Sequence, residues 1–113
     1  MKNGLYLLAL LLCSSCLTPA KLLEKGRVDE ALEQSIKLLS NGPIKSADIV
    51  ALEEATHIIA QRDEEQLQYW LSQQDSSLWP LIYEYAKLVD EQQEKVRKVQ
   101  QRLMYEGYRP RLT

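Results

Sequence analysis

The spacing of apolar residues is the feature that most constrains the fold of this chain. From residue 19 onward they recur at three- and four-residue intervals, as they do along a helix with one buried side. No run of alternating apolar and polar residues is long enough to form a β-strand. Glycine and proline, four of each, stand at the ends of the periodic segments. These patterns predict an all-α protein.

Local signals divide the chain into five predicted helices. Thr18 followed by Pro19 is a common helix start, because threonine caps free N–H groups and proline fits the first helical position. Gly26 is expected to end the first helix in a left-handed conformation. The stretch 63–66, Asp-Glu-Glu-Gln, is a capping-box pattern and predicts a break before the fourth helix. The predicted helices are 19–25, 28–40, 47–61 and 64–74, and a fifth that continues to Gly107.

Each of the first four predicted helices has one apolar side. Its members are Leu22 and Leu23, then Val28, Ala31, Leu32, Ile36, Leu38 and Leu39, then Val50, Ala51, Leu52, Ala55, Ile58 and Ile59, and finally Leu67, Trp70 and Leu71. His57 lies on the other side of the third helix and is expected to face solvent. Trp70 fits either the core or a binding platform, and the core is the simpler interpretation.

The fifth predicted helix carries a heptad-like seam. The seam is formed by Ile82, Tyr85, Val89, Gln92, Val96, Val99 and Leu103. Its first half, with Trp79 alongside, is expected to lie in the core. Its second half has single apolar residues among charged and amide side chains, so it must pack thinly, project, meet a second chain, or be covered by the first hairpin. Val96, Val99 and Leu103 are therefore a candidate interaction seam.

Neither the charge pattern nor the residue types indicate an enzyme. His57 is the single histidine, no glycine-rich loop follows a strand, and the adjacent pairs Glu53-Glu54 and Glu64-Glu65 point in different directions on a helix. The net charge is −2, with an acidic excess from 48 to 75 and a basic excess from 95 to 111. These are expected to be solvated faces, or a basic tail that meets an acidic partner. No nucleic-acid partner is expected, because the basic residues lack interleaved glycine or a stacking pattern. We expect no catalytic residue, metal or cofactor.

The first sixteen residues have the pattern of a secretory signal. Lys2 precedes an apolar run over 5–12, and small residues lead to Cys16. The run is shorter than the roughly 20 residues of a permanent membrane-spanning helix. Cys13 and Cys16 also read as C-x-x-C, but a redox pair needs a strand–turn–helix context and a zinc site needs two further ligands.

A cysteine directly after two small residues resembles the lipobox of bacterial lipoproteins. The resemblance implies a signal peptide over 1–15 that is cleaved before Cys16, and a mature chain over 16–113. It also implies diacylglycerol on the Cys16 sulfur and a fatty acyl group, such as palmitate, on its amino group. Cys13 departs from the leucine usual in that family. Leu17 follows the anchor, where an aspartate resembles an inner-membrane retention signal, so we expect an outer-membrane protein that faces the periplasm.

The stretch 26–31, Gly-Arg-Val-Asp-Glu-Ala, together with Pro43, resembles the second half of a tetratricopeptide repeat. The resemblance implies antiparallel helical hairpins, with Ala31 at a helix contact. Ser35 departs from the aromatic residue that the family prefers. The order of these features along the chain also resembles small bacterial envelope lipoproteins. That resemblance implies location and fold but no activity. We therefore expect a lipid-anchored helical scaffold that binds an envelope protein. The alternative is a structural lipoprotein that self-associates through its last helix.

Overall fold

The computed structural model describes residues 17–108, so the predicted signal peptide and Cys16 lie outside the described residues. Within that range the chain forms four α-helices and no strand, which confirms the all-α prediction. The helices are α1 (Pro19–Glu24), α2 (Val28–Asn41), α3 (Ser46–Ser72) and α4 (Trp79–Tyr105). A short 3₁₀ turn, Ser76–Leu78, leads from the α3–α4 loop into α4.

The predicted helix ends depend on local chemistry, and three of them are confirmed. The Thr18 hydroxyl accepts a hydrogen bond from the Lys21 backbone N–H at 3.3 Å, and Pro19 occupies the first turn of α1. Gly26 follows α1 with φ of +77°, and Gly107 follows α4 with φ of +94°. Because this left-handed region is strained for residues with a Cβ, glycine there stops each helix.

The break predicted at residues 63–66 is wrong, because α3 is one continuous helix of 27 residues. At 1.5 Å per residue it is about 40 Å long. Asp63 does not cap a helix start. Asp63 lies in the middle part of α3, and the residue is 5% exposed. Its carboxylate accepts hydrogen bonds from Tyr85 and Arg62. Partners from the tertiary structure therefore replace the capping role that the local sequence predicts.

Small residues line the contact among the first three helices. Ala31, Ser35 and Ala55 are each 0% exposed, and the Ser35 hydroxyl donates to the Ala31 carbonyl at 2.7 Å. Helices approach more closely where the side chains between them are small. The buried position of Ala31 agrees with its expected place at a helix contact. Larger side chains complete this core: Leu22, Leu32, Leu39, Ile49, Leu52 and Ile59.

Four of the inner positions predicted on the first four helices are exposed: Leu38, Val50, Ile58 and Leu71. The buried stripe of α3 instead begins with Ile49 and continues through Leu52 to Ile59, at helical spacing. Val50 and Ile58 each stand next to a member of this stripe in sequence, which places them about 100° around the helix axis. The confirmed members are Ala51, Leu52, Ala55 and Ile59, together with Leu22, Ala31, Leu32 and Leu39.

The second half of α4 closes the core. Val96, Val99 and Leu103 pack in the same cluster as the buried leucines of α1, α2 and α3. The Arg102 guanidinium donates to the backbone carbonyls of Leu39 and Gly42, where α2 ends. A cation at this end satisfies free carbonyl groups and complements the helix dipole. The C-terminal half of α4 is thus fastened to α2 by both apolar and polar contacts.

Candidate functional site

The three residues of the candidate seam lie inside the molecule. Val96, Val99 and Leu103 are 5%, 3% and 6% exposed. Of the four outcomes expected for this half of the helix, cover by the first hairpin agrees best with the structure: α2, the second helix of that hairpin, packs against it together with α3. These residues therefore offer no uncovered surface to a partner or a second copy.

The prediction that the first half of α4 lies in the core is wrong. Trp79 is 59% exposed, and Ile82, Tyr85 and Val89 are only half-buried. From residue 64 to residue 95 no side chain is buried. The core thus lies at one end of the molecule, and the α3–α4 connection lies at the other.

The point at which α2 begins explains this division. Arg62 of α3 pairs with Asp29 in the first turn of α2, at 2.9 Å. Beyond this level α3 and α4 have only each other, so their facing side chains lack a third helix to cover them. We call residues 64–88, which comprise the end of α3, the connection and the start of α4, the arm.

A polar cluster joins the three helices at the base of the arm. The Tyr85 hydroxyl donates to the Asp63 carboxylate at 2.6 Å, and Arg62 donates to the same oxygen at 3.4 Å. The rings of Trp70 and Tyr85 are in edge-to-face contact, with their planes at 90° and their centroids 5.1 Å apart. Since a buried carboxylate is costly without partners, this arrangement fixes α4 against α3.

The electrostatics of this cluster suit a structural role. Partial burial raises the pKa of the Tyr85 phenol, and its hydrogen bond to Asp63 raises it further. The hydrogen bond from Arg62 to Asp29 raises the pKa of the guanidinium. The phenol therefore stays protonated and donating, and the arginine stays charged. Nothing in this geometry provides a nucleophile beside a base.

Several large aromatic and aliphatic side chains are exposed on the arm. Tyr69 and Tyr83 are 61% and 69% exposed, and Leu71 and Leu81 are also exposed. A cleft of about 310 Å³ lies near the arm's end, between Leu71 of α3 and Trp79 of α4. Both tryptophans of the chain belong to the arm. Exposed aromatic groups of this kind are typical of binding surfaces, where they are often the strongest contacts.

Sequence reasoning identified the aromatic residues of the arm but placed most of them in the core. Trp70 is half-buried against Tyr85, so it is neither fully core nor a free platform. His57 is exposed, as expected. The one available signal for the arm was the length of α4, which is about twice that of α2. Two long helices next to a shorter one must leave part of their length uncovered.

Residues 17–108 also bear on metal binding and on membrane insertion. This range contains no cluster of three or more metal-binding side chains. None of its helices is both long and apolar enough to cross a membrane.

Comparison of the chain with protein-family models, with curated proteins and with solved structures finds no match in any of the three. The functional assignment therefore depends on the residues and geometry described above.

Proposed function

We propose that this chain is a lipid-anchored protein of the bacterial envelope that binds a partner protein through its arm. The anchor is Cys16, and the membrane is the outer membrane, on its periplasmic side. The helical domain acts as a scaffold: its core fixes the arm in place, and the arm supplies the contact. The exposure of Trp79, Tyr83 and their apolar neighbours is the observation that carries the binding proposal.

The lipid anchor is supported by sequence alone. It is tested by metabolic labelling with a palmitate analogue in cells that express the chain. Cys16→Ala should abolish labelling, whereas Cys13→Ala should leave it unchanged because Cys13 departs with the signal peptide. Equal labelling of the wild type and the Cys16 variant would exclude the lipoprotein assignment.

The binding role is tested by photo-crosslinking from a single position in living cells. A photoreactive amino acid at Tyr83 should give an adduct with another protein, because this side chain is exposed on the arm. The matched control is Tyr105, which is 90% exposed at the far end of the same helix. No adduct from position 83, or the same adduct from both positions, would contradict the proposal. An adduct of the chain with itself would instead favour the self-association alternative.

A further inference from the structure

A groove lies between α3 and α4, along the side of α4 that carries Trp79 and Gln93. The opposite side of α4 faces another cleft, lined by Glu33, Ile36 and Arg62. The groove comprises a cleft of about 180 Å³ near the middle of α3, which Leu32 of α2 also lines, and the cleft of about 310 Å³ near the arm's end. We call it the outer groove. Its walls include Thr56, Ala60 and Leu71 of α3, and Trp79, Ile82 and Gln93 of α4.

The dimensions of the outer groove match a helix. Thr56 and Leu71 are fifteen residues apart on α3, which corresponds to about 22 Å or four helical turns. Two antiparallel helices present a furrow into which the side-chain ridges of a third helix pack. Ala60 lines the 180 Å³ cleft, and Ala86 lies seven residues from both Trp79 and Gln93, which places it on the same side of α4. Both alanines are exposed and small enough to let a helix backbone approach.

One buried hydroxyl group in the cleft near the middle of α3 has no hydrogen-bond partner among the described residues. The Thr56 hydroxyl oxygen is shielded from solvent and forms no hydrogen bond in the structure. It lies in the middle cleft beside Gln93 and Gln100. Unsatisfied buried hydroxyl groups are uncommon in native proteins, and a polar side chain of an occupant would reach this one once the groups that shield it move aside.

The negative charge of the arm favours some occupants of the outer groove over others. Glu64, Glu65, Asp75 and Glu84 oppose Lys87 alone, and four acidic groups against one basic group give a formal charge of −3. The nearest other cation, Arg62, already pairs with two carboxylates. Two such arms would repel each other, and an anionic lipid surface would repel either. A cationic partner is favoured, since complementary charge speeds and orients association.

We propose that the outer groove binds one amphipathic helix of about four turns, whose apolar side is flanked by lysine or arginine. This inference rests on the proposed function, in which the arm binds a protein, and it specifies the chemistry of that protein's contact segment. The apolar side lies against Leu71, Trp79 and Ile82, and the basic flanks face the acidic side chains of the arm.

The test uses the full chain in a non-ionic detergent and a synthetic helical peptide of leucine, alanine and lysine. Trp70 and Trp79 are the two tryptophans, so intrinsic fluorescence reports on the arm alone. The peptide should shift the emission to shorter wavelength in a saturable manner, and the apparent affinity should fall as salt rises. The same peptide with glutamate in place of lysine should give no shift. Equal shifts with both peptides would overturn the inference.

Variants of the two exposed alanines locate the binding. Ala60→Lys and Ala86→Lys each place a long cationic side chain in the groove, and each should weaken peptide binding about tenfold or more. Ala47→Lys is the matched control, because Ala47 is also exposed on α3 but lies outside the groove. Circular dichroism verifies that each variant is folded. Unchanged binding by both groove variants would place the peptide elsewhere and overturn the inference.

Binding of a lipid bilayer or of a second copy of the chain in the outer groove would overturn the inference. Quenching of the tryptophans by brominated phosphatidylcholine, after reconstitution into vesicles, would identify the bilayer as the occupant. A dimer in sedimentation that Ala86→Lys dissociates would identify a second copy. A protein adduct from position 83 without peptide binding would overturn the helix inference alone, whereas the absence of any adduct would overturn the proposed function.

Discussion

Asp63 shows how one side chain can have a different role from the one its neighbours in sequence indicate. Followed by two glutamates and a glutamine, it has the pattern of a helix start. In the folded chain it stands inside α3, where Tyr85 and Arg62 donate to it. A charged group removed from solvent needs such partners, and the cluster lies where the core ends and the arm begins.

Tyr85→Phe removes the hydroxyl that donates to Asp63 and keeps the ring that contacts Trp70. We expect the free energy of unfolding in urea to fall by about 1–2 kcal/mol, as for other hydrogen bonds to charged groups. Tyr83→Phe is the control, because that side chain is exposed, and we expect a change of about 0.5 kcal/mol or less. Equal stability of the two variants would mean that the bond contributes nothing.

The same hydroxyl should make stability depend on alkaline pH. The folded-state pKa of Tyr85 is raised above the ordinary value of 10.0, so the unfolded chain loses this proton first. The contribution of Tyr85 is therefore fully present below the ordinary value and is lost as pH rises through the folded-state pKa. The wild type should lose more stability than Tyr85→Phe over this range. Parallel pH profiles of the two proteins would contradict the expectation.

At the scale of single residues, the sequence predicts the roles that depend only on residues close by in the chain. Thr18, Gly26 and Gly107 act within their own turns, and their roles follow from their type and position. The partner of Asp63 is 22 residues away in sequence, on another helix. No local pattern contains that information, which is why the capping-box interpretation failed.

At the scale of elements, α4 has two halves with opposite surroundings. Its first half has more large apolar residues, yet they stay exposed or half-buried because no third helix reaches them. Its second half has few, yet Val96, Val99 and Leu103 are each buried, in one cluster with residues of α1, α2 and α3. The periodicity predicted the helix and the residues of its seam. It could not predict which half is covered, because that depends on where the shorter α2 lies.

Substitutions in the two halves of α4 should differ in their effect on stability. Leu103→Ala leaves a cavity in the core and should lower the free energy of unfolding by about 2–4 kcal/mol. Trp79→Ala removes a larger side chain, but it is mostly solvated and should cost about 1 kcal/mol or less. Urea unfolding of both variants provides the comparison. If Trp79→Ala were the more destabilising, the first half of α4 would belong to the core after all.

At the scale of the whole molecule, apolar surface is divided between two purposes. One set of residues, drawn from all four helices, forms the core and satisfies the needs of folding. A second set remains in solvent, where it contributes little to the stability of the single chain, and half of its large members lie in the arm. The helical fold class followed from periodicity alone. The division did not, since a pattern of apolar residues is the same whether another helix or water lies against it.

The unburied stretch from 64 to 95 also makes the reach of the arm adjustable without altering the rest of the protein. Removing 66–72 from α3 together with 78–84, the last residue of the 3₁₀ turn and the first six of α4, would shorten both helices by about two turns, or some 10 Å, and retain Asp63 and Tyr85. We expect this shortened chain to unfold within about 5 °C of the parent midpoint in thermal denaturation. A large drop would show that the arm helps to hold the core together. Otherwise the length of the arm, and with it the amount of contact surface it carries, can change in evolution through paired insertions or deletions that leave the core unaltered.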